Sequence, residues 1–161
     1  MIKYIGILAV LLSALAISKE YSAFSKKRLS ESCAFLSFLE HMKIQVGCFL
    51  RPANELLKDF SSDTLAAVGF TDALENSESL VTAYKTAEPK LSLSKEEREV
   101  LENLFSAVGE CYLDEGVRLI DTAREKLEKL YQKNKIECPK NAKLVSVISV
   151  TAAIGFLMLV L

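Results

Sequence analysis

Tryptophan is absent from this 161-residue sequence, histidine occurs once, proline three times and glycine six times. So few turn-forming residues, with Ala, Leu, Glu, Lys and Ser dominant, favour helices over a strand-and-turn architecture. The lone histidine, His41, leaves no pair for a metal or a proton relay, and no motif places a nucleophile beside it. The four cysteines, Cys33, Cys48, Cys111 and Cys138, are irregularly spaced without a CxxC pair, which argues against a zinc site. No P-loop, dinucleotide fingerprint, HExxH, GxSxG or EF-hand loop occurs. The sequence therefore predicts no enzyme, no cofactor, no metal and no small-molecule substrate. A formal net charge of −1 also argues against a nucleic-acid partner.

Two apolar runs stand at the ends. Leu144–Leu161 carries no charge, and as a helix of about eighteen residues it would cover roughly 27 Å, close to the apolar thickness of a bilayer. Its serines and threonine can bond back to carbonyls one turn earlier. The run is apolar on every face, unlike an amphipathic core helix. At the other end, Ile2–Ser18 is broken only by Lys3, which can snorkel. It supports two readings. One is a signal peptide, with Lys3 as basic start, Ile5–Leu15 as apolar stretch and Ala14-Leu15-Ala16 as cleavage site. The other is an uncleaved anchor, favoured by Lys19, Lys26, Lys27 and Arg28 directly after it. Lys133, Lys135, Lys140 and Lys143 precede the C-terminal run. Both basic flanks predict a cytoplasmic body, residues 19–140, between spans at 2–18 and 144–161, in contact with membrane lipid. Under the signal reading the body would instead be an extracytoplasmic, tethered helical interaction protein. Topology then decides the cysteines: reduced thiols inside, room for two disulfides outside.

The net charge hides a segregation. Residues 1–60 carry +3, residues 61–115 carry −8 and residues 116–161 carry +4. Asp72, Glu75, Glu78 and Glu88 lie in the acidic middle, which is either a docking surface for a basic partner or a solvated face.

The body reads as all-α, a compact bundle of five or six helices. Residues 21–49 form an amphipathic helix with Phe35, Phe38, Leu39, Met42, Val46 and Phe49 on one stripe and His41 beside it. Pro52 begins a helix through Phe60, with Ala53, Leu56 and Leu57 inward. Short helices follow, capped by Ser62 or Asp63, by Thr71 or Asp72, and by Ser77, the last closed at Pro89. Ser94-Lys95-Glu96-Glu97 is a capping box in which Glu97 reaches back to Ser94. Glu96, Glu97 and Glu99 together form a first-turn acidic cluster that suits the helix dipole. Its helix buries Val100, Leu101, Leu104 and Phe105, and breaks at Val108-Gly109-Glu110. A last helix from Leu113 turns Val117, Ile120, Ala123, Leu127, Leu130 and Tyr131 inward. Its outer face, Asp121, Arg124, Glu125, Lys126, Glu128 and Lys129, is expected to pair with itself. Ile136–Pro139 is expected to be a hinge.

The layout resembles the stage III sporulation protein AB family along nearly the whole chain. The resemblance rests on the N-terminal run followed by Lys26-Lys27-Arg28-Leu29 and on the helix Phe35-Leu36-Ser37-Phe38-Leu39-Glu40-His41-Met42-Lys43-Ile44. It extends to Arg51-Pro52-Ala53-Asn54-Glu55-Leu56-Leu57, the break within Leu104–Glu110, and the charged helix Leu119–Tyr131 leading into an apolar end. Where that family has a Leu-Gly-x-Ser-Asp-like turn, this sequence keeps only Val108-Gly109, with Cys111 and Tyr112 in the Ser and Asp places. The resemblance implies a bundle similar to the platform protein of type II secretion and type IV pilus systems. It further implies a place in the mother-cell-to-forespore channel, at the outer forespore membrane on the mother-cell side. The implied partners are a secretion-type ATPase, stage III sporulation protein AA, and other membrane proteins of the same complex. The family has no catalytic residues to carry over.

Overall fold

In a computed structural model of the chain, the backbone is described for residues 2–48, 60–77, 79–108 and 113–160. Side chains 2–11, 14, 15, 46–48, 113, 114, 153, 156, 157, 159 and 160 lie outside that description. The described residues form helices and short connectors, with no strand: α1 (Ile2–Cys48), α2 (Asp63–Ala67), α3 (Phe70–Asn76), α4 (Leu80–Ala87), a 3-10 turn (Glu88–Lys90), α5 (Lys95–Val108) and α6 (Leu113–Val160). The chain divides into two compact units. One is Arg28–Lys133; the other joins Met1–Lys27 with Asn134–Leu161.

In the Arg28–Lys133 unit, the predicted stripe of α1 forms the centre of the core. Phe35, Phe38, Leu39 and Met42 are fully buried. Phe38 meets Phe70 edge to face at 5.2 Å between ring centres, and Phe60 at 5.1 Å. Phe35 meets Phe70 in the same way at 5.3 Å, and Tyr84 lies 5.3 Å from Phe105. Edge-to-face rings bring the positive rim of one against the negative face of the next, so the cluster adds orientation to simple burial. Leu101, Leu104 and Phe105 of α5 and Ile120, Ala123 and Leu127 of α6 complete the core as their spacing predicts. Val100, Val117, Leu130 and Tyr131 are half-buried rather than inward. Val46, Phe49 and the expected helix from Pro52, with Ala53, Leu56 and Leu57, lie outside the described residues.

The short helices start where local chemistry allows. Ser79, not Ser77, caps α4, its hydroxyl accepting from the Thr82 amide at 3.2 Å. Ser62 precedes α2 in extended backbone, but its hydroxyl makes no capping bond. Helix α3 starts after Gly69 rather than at Thr71 or Asp72, because Gly69 turns the chain with φ +78°. Its amide donates to Ala66 O at 2.8 Å. A side chain in that left-handed conformation would crowd its own backbone.

Two expected boundaries are corrected. Helix α1 runs through 18–21 without a break, because no glycine or proline stands between Gly6 and Gly47. Helix α6 runs through the expected hinge with Pro139 inside it. Proline there removes the bond to the carbonyl of Lys135, but long helical stretches on both sides outweigh one lost bond.

The second unit, 1–27 with 134–161, has a different surface. Among the described residues, nine large apolar side chains that are about half exposed or more belong to it, among them Leu12, Phe24, Leu144, Val147, Ile148 and Met158; in the Arg28–Lys133 unit only Ile44 of the described residues is comparable. Among the described residues no helix is long and apolar enough to cross a membrane. The runs expected as spans, 2–18 and 144–161, fall partly on residues whose side chains lie outside the description.

Two substitutions test this account by urea unfolding. Phe38→Ala should cost about 3–5 kcal/mol, as for other buried aromatics. Gly69→Ala should cost about 1 kcal/mol from backbone strain alone, since only the Lys90 ammonium lies near the added carbon, at 3.5 Å. An equal loss for the two would contradict the assignment of Phe38 to the centre of the core.

Candidate functional site

Sequence spacing predicted the capping box at the start of α5, and the structure builds it. The Glu97 amide donates to the Ser94 hydroxyl at 3.2 Å, and Glu97 Oε2 accepts from the Ser94 amide and hydroxyl, both at 2.7 Å. Glu97 is nevertheless not a surface member of an acidic cluster. It is fully buried, and α1 supplies two further donors. Arg28 Nε donates to Oε2 at 3.0 Å. The Ser32 hydroxyl lies 2.7 Å from Oε1 and 2.9 Å from the Arg28 carbonyl. It has one proton, and the nearer, charged carboxylate is the stronger acceptor. Burial by itself would raise the Glu97 carboxyl. The Ser94 amide, the Ser94 and Ser32 hydroxyls and the Arg28 guanidinium outweigh it, and the group sits below the usual glutamate range.

A second carboxylate of α1 grips the adjoining connector. Glu31, also buried, accepts the Ser92 amide at 2.6 Å. From the α5 side, Arg98 donates to the carbonyls of Leu91 and Leu93 and lies 3.8 Å from Glu88. The buried Tyr84 hydroxyl donates to Arg98 O at 3.4 Å. Its pKa is pushed well up, chiefly by burial and then by Glu88. Residues 88–94 are thus held by charged groups from α1 and α5. The Ser32 and Ser94 hydroxyls beside Glu97 are both committed to its carboxylate, and the arrangement holds a connector in place.

The sequence-predicted site residues fall in different places. Asp72 and Glu75 are exposed on α3. Glu88 is in the 3-10 turn, facing Arg98, and so is part of the connector lock rather than of a free acidic face. Glu78 lies outside the described residues. Of the basic flanks, Lys19, Lys26, Lys27, Lys133, Lys135, Lys140 and Lys143 are exposed. Arg28 has a partner that its position beside Lys26 and Lys27 concealed: its guanidinium pairs with Glu97. The outer face of α6 is also corrected. Asp121 pairs with Lys43 at 2.7 Å and Arg124 with Glu40 at 3.7 Å, so these charges reach α1 instead of pairing along their own helix. His41 is half-buried with its ring 5.5 Å from that of Phe60. The Cys33 thiol is free and exposed, and the Cys138 thiol is free and half-buried. Among the described residues no group of three or more His, Cys, Asp or Glu could hold a metal ion.

Sequence spacing did not point to a groove between α5 and α6. Only residues 109–112 separate these helices, which makes them antiparallel neighbours. The groove encloses about 480 Å³. Val100 and Leu104 of α5 and Leu119, Ala123 and Leu130 of α6 give it an apolar floor. Glu96 and Glu99 rise on the α5 side, and Lys126 and Lys129 on the α6 side. The signal was present in the sequence: Val100 and Leu130 continue apolar stripes beyond what the core covers.

The Glu97 cluster carries a pH dependence whose sign follows from its lowered pKa. A carboxyl that ionises more readily folded than unfolded stabilises the fold above its unfolded value and loses that contribution as the pH falls through the folded value. Urea unfolding should therefore show wild-type stability dropping as the pH falls through and below the usual glutamate range, with a smaller drop in Glu97→Gln. At neutral pH that variant should be weaker by about 3 kcal/mol, since Arg28 loses its charged partner. Parallel acid profiles for the two proteins would show that Glu97 is not the group responsible.

With this geometry established, comparisons with known proteins identify the family. No curated protein and no solved structure matches the chain. The family profile of stage III sporulation protein AB matches residues 3–161, and the family implies a role in stage III of sporulation. With nearly its whole length covered, the chain belongs to the stage III sporulation protein AB family.

Proposed function

We propose that this protein is a membrane-anchored, non-enzymatic platform of the mother-cell-to-forespore channel, coupling a cytoplasmic secretion-type ATPase to channel proteins in the membrane. One observation carries the membrane part. Among the described residues, exposed large apolar side chains concentrate in the unit formed by 1–27 and 134–161, while the Arg28–Lys133 unit exposes only Ile44 to that degree. In water, such exposed apolar surface is costly and needs a cover. Lipid is the cover that fits, because the same unit contains the uncharged run 144–161 and exposed lysines at 19, 26, 27, 135, 140 and 143. Lysines at the ends of apolar stretches favour the cytoplasmic side and anionic headgroups. The family membership supports the sporulation setting, and the ATPase partner is what the resemblance in layout implies. Asp72 and Glu75 on α3 face outward and are available to a basic partner surface.

Thiol labelling tests the orientation. A membrane-impermeant maleimide should modify the exposed Cys33 only after the cells are permeabilised, with the chain in the alkali-resistant membrane fraction. Labelling of Cys33 on intact cells would overturn a cytoplasmic body. For the partner, Asp72→Lys with Glu75→Lys should reduce capture of the ATPase at least about tenfold, a change of about 1.4 kcal/mol, with an unchanged circular dichroism spectrum. Undiminished capture would remove α3 from the interface.

A further inference from the structure

The α5–α6 groove presents a charge pattern that complements itself. We propose that it is the interface between two copies of this chain, related by a two-fold axis running along the groove. The inference is independent of the ATPase and of the membrane orientation.

The groove has opposite charge on its two sides at the same level. In an antiparallel pair, Glu96 and Glu99 near the start of α5 lie across from Lys126 and Lys129 of α6. Consider a second copy laid face to face on the first. A two-fold axis along the groove preserves position along its length and exchanges its sides. The carboxylates of each copy then meet the ammonium groups of the other, while Val100 and Leu119 of both copies share one apolar strip. A two-fold axis across the groove would set acid against acid, so charge selects one arrangement. Isologous contacts of this kind are the commonest route to a closed homodimer.

The charges themselves are available. None of Glu96, Glu99, Lys126 or Lys129 takes part in an ion pair among the described residues. Their neighbours on the same helices do: Glu102 pairs with Lys85, Arg124 with Glu40, and Asp121 with Lys43. The apolar floor gives a second copy something to cover, and the opposed rims fix its register. A partner with one sign of charge would satisfy one side of the groove and be repelled by the other.

The test uses the full-length chain carrying two different affinity tags, co-expressed and solubilised in an excess of detergent micelles. Wild-type copies should co-purify. Glu96→Lys with Glu99→Lys makes both sides basic, and Lys126→Glu with Lys129→Glu makes both acidic; each should lower homotypic co-purification at least about tenfold. Co-expressing the basic-sided chain with the acid-sided chain should restore co-purification, as should all four reversals in one chain. Restoration also shows that the variant chains are folded. Wild-type copies that fail to co-purify would overturn the proposal and leave the groove to a different partner. Co-purification that both reversals leave intact would overturn it equally, by placing the contact elsewhere on the chain.

Discussion

The Arg28–Lys133 unit depends on one buried carboxylate. Glu97 closes the cap at the start of α5 and, with the same two oxygens, takes the Ser32 hydroxyl and the Arg28 guanidinium from a helix more than sixty residues earlier in sequence. A buried charge is costly unless its hydrogen-bonding capacity is filled, and here four donors fill it. That requirement determines which turn of α1 faces the connector. Glu31, one residue before Ser32, accepts the Ser92 amide and ties the connector to the same turn of α1. An apolar stripe can slide by a turn at modest cost; a carboxylate with two fixed long-range donors cannot. The polar lock sets the register, and the aromatic core beside it supplies the burial.

The same chain solves the opposite problem in 1–27 and 134–161. There, apolar side chains face outward, and serine, lysine and asparagine interrupt them. A domain core and an outward apolar surface on two long helices require different sequence rules: strict three-and-four spacing for the first, apolar character on all faces for the second. Residues 28–45 of α1 follow the first rule and residues 2–18 the second, although no glycine or proline separates them. The family membership gives this division a setting in sporulation, and the proposed platform role uses both parts.

Much of this was legible from the sequence. Helical spacing located Phe35, Phe38, Leu39 and Met42 in the core, because a stripe on one helix contains its own evidence. The capping box at Ser94–Glu97 was legible for the same reason, being contained in four residues. What local patterns could not show was what the other end of each side chain would meet. Arg28 stands among lysines and looks like one more basic flank, until α5 brings Glu97 against it. Asp121 and Arg124 sit at helical spacings that suit pairing along α6, yet Lys43 and Glu40 of α1 reach them instead. Pro139 reads as part of a hinge because one residue's preference carries no information about the long helix on both sides of it. Gly69 hides as a small residue between two short helices, and its positive φ belongs to the turn they make. Of the four acidic positions singled out for docking, Asp72 and Glu75 are exposed, while Glu88 faces Arg98. Only tertiary structure separates a free carboxylate from an engaged one.

Glu97 ties α1 to the start of α5, and a double-mutant cycle measures that tie directly. Unfolding free energies would be compared for wild type, Arg28→Met, Glu97→Gln and the double variant. The buried, charge-assisted contact predicts a coupling of about 1–2 kcal/mol, so that the double variant loses less than the two single losses combined. Additive losses, within about 0.5 kcal/mol, would show that the two groups stabilise the fold independently and would contradict the account.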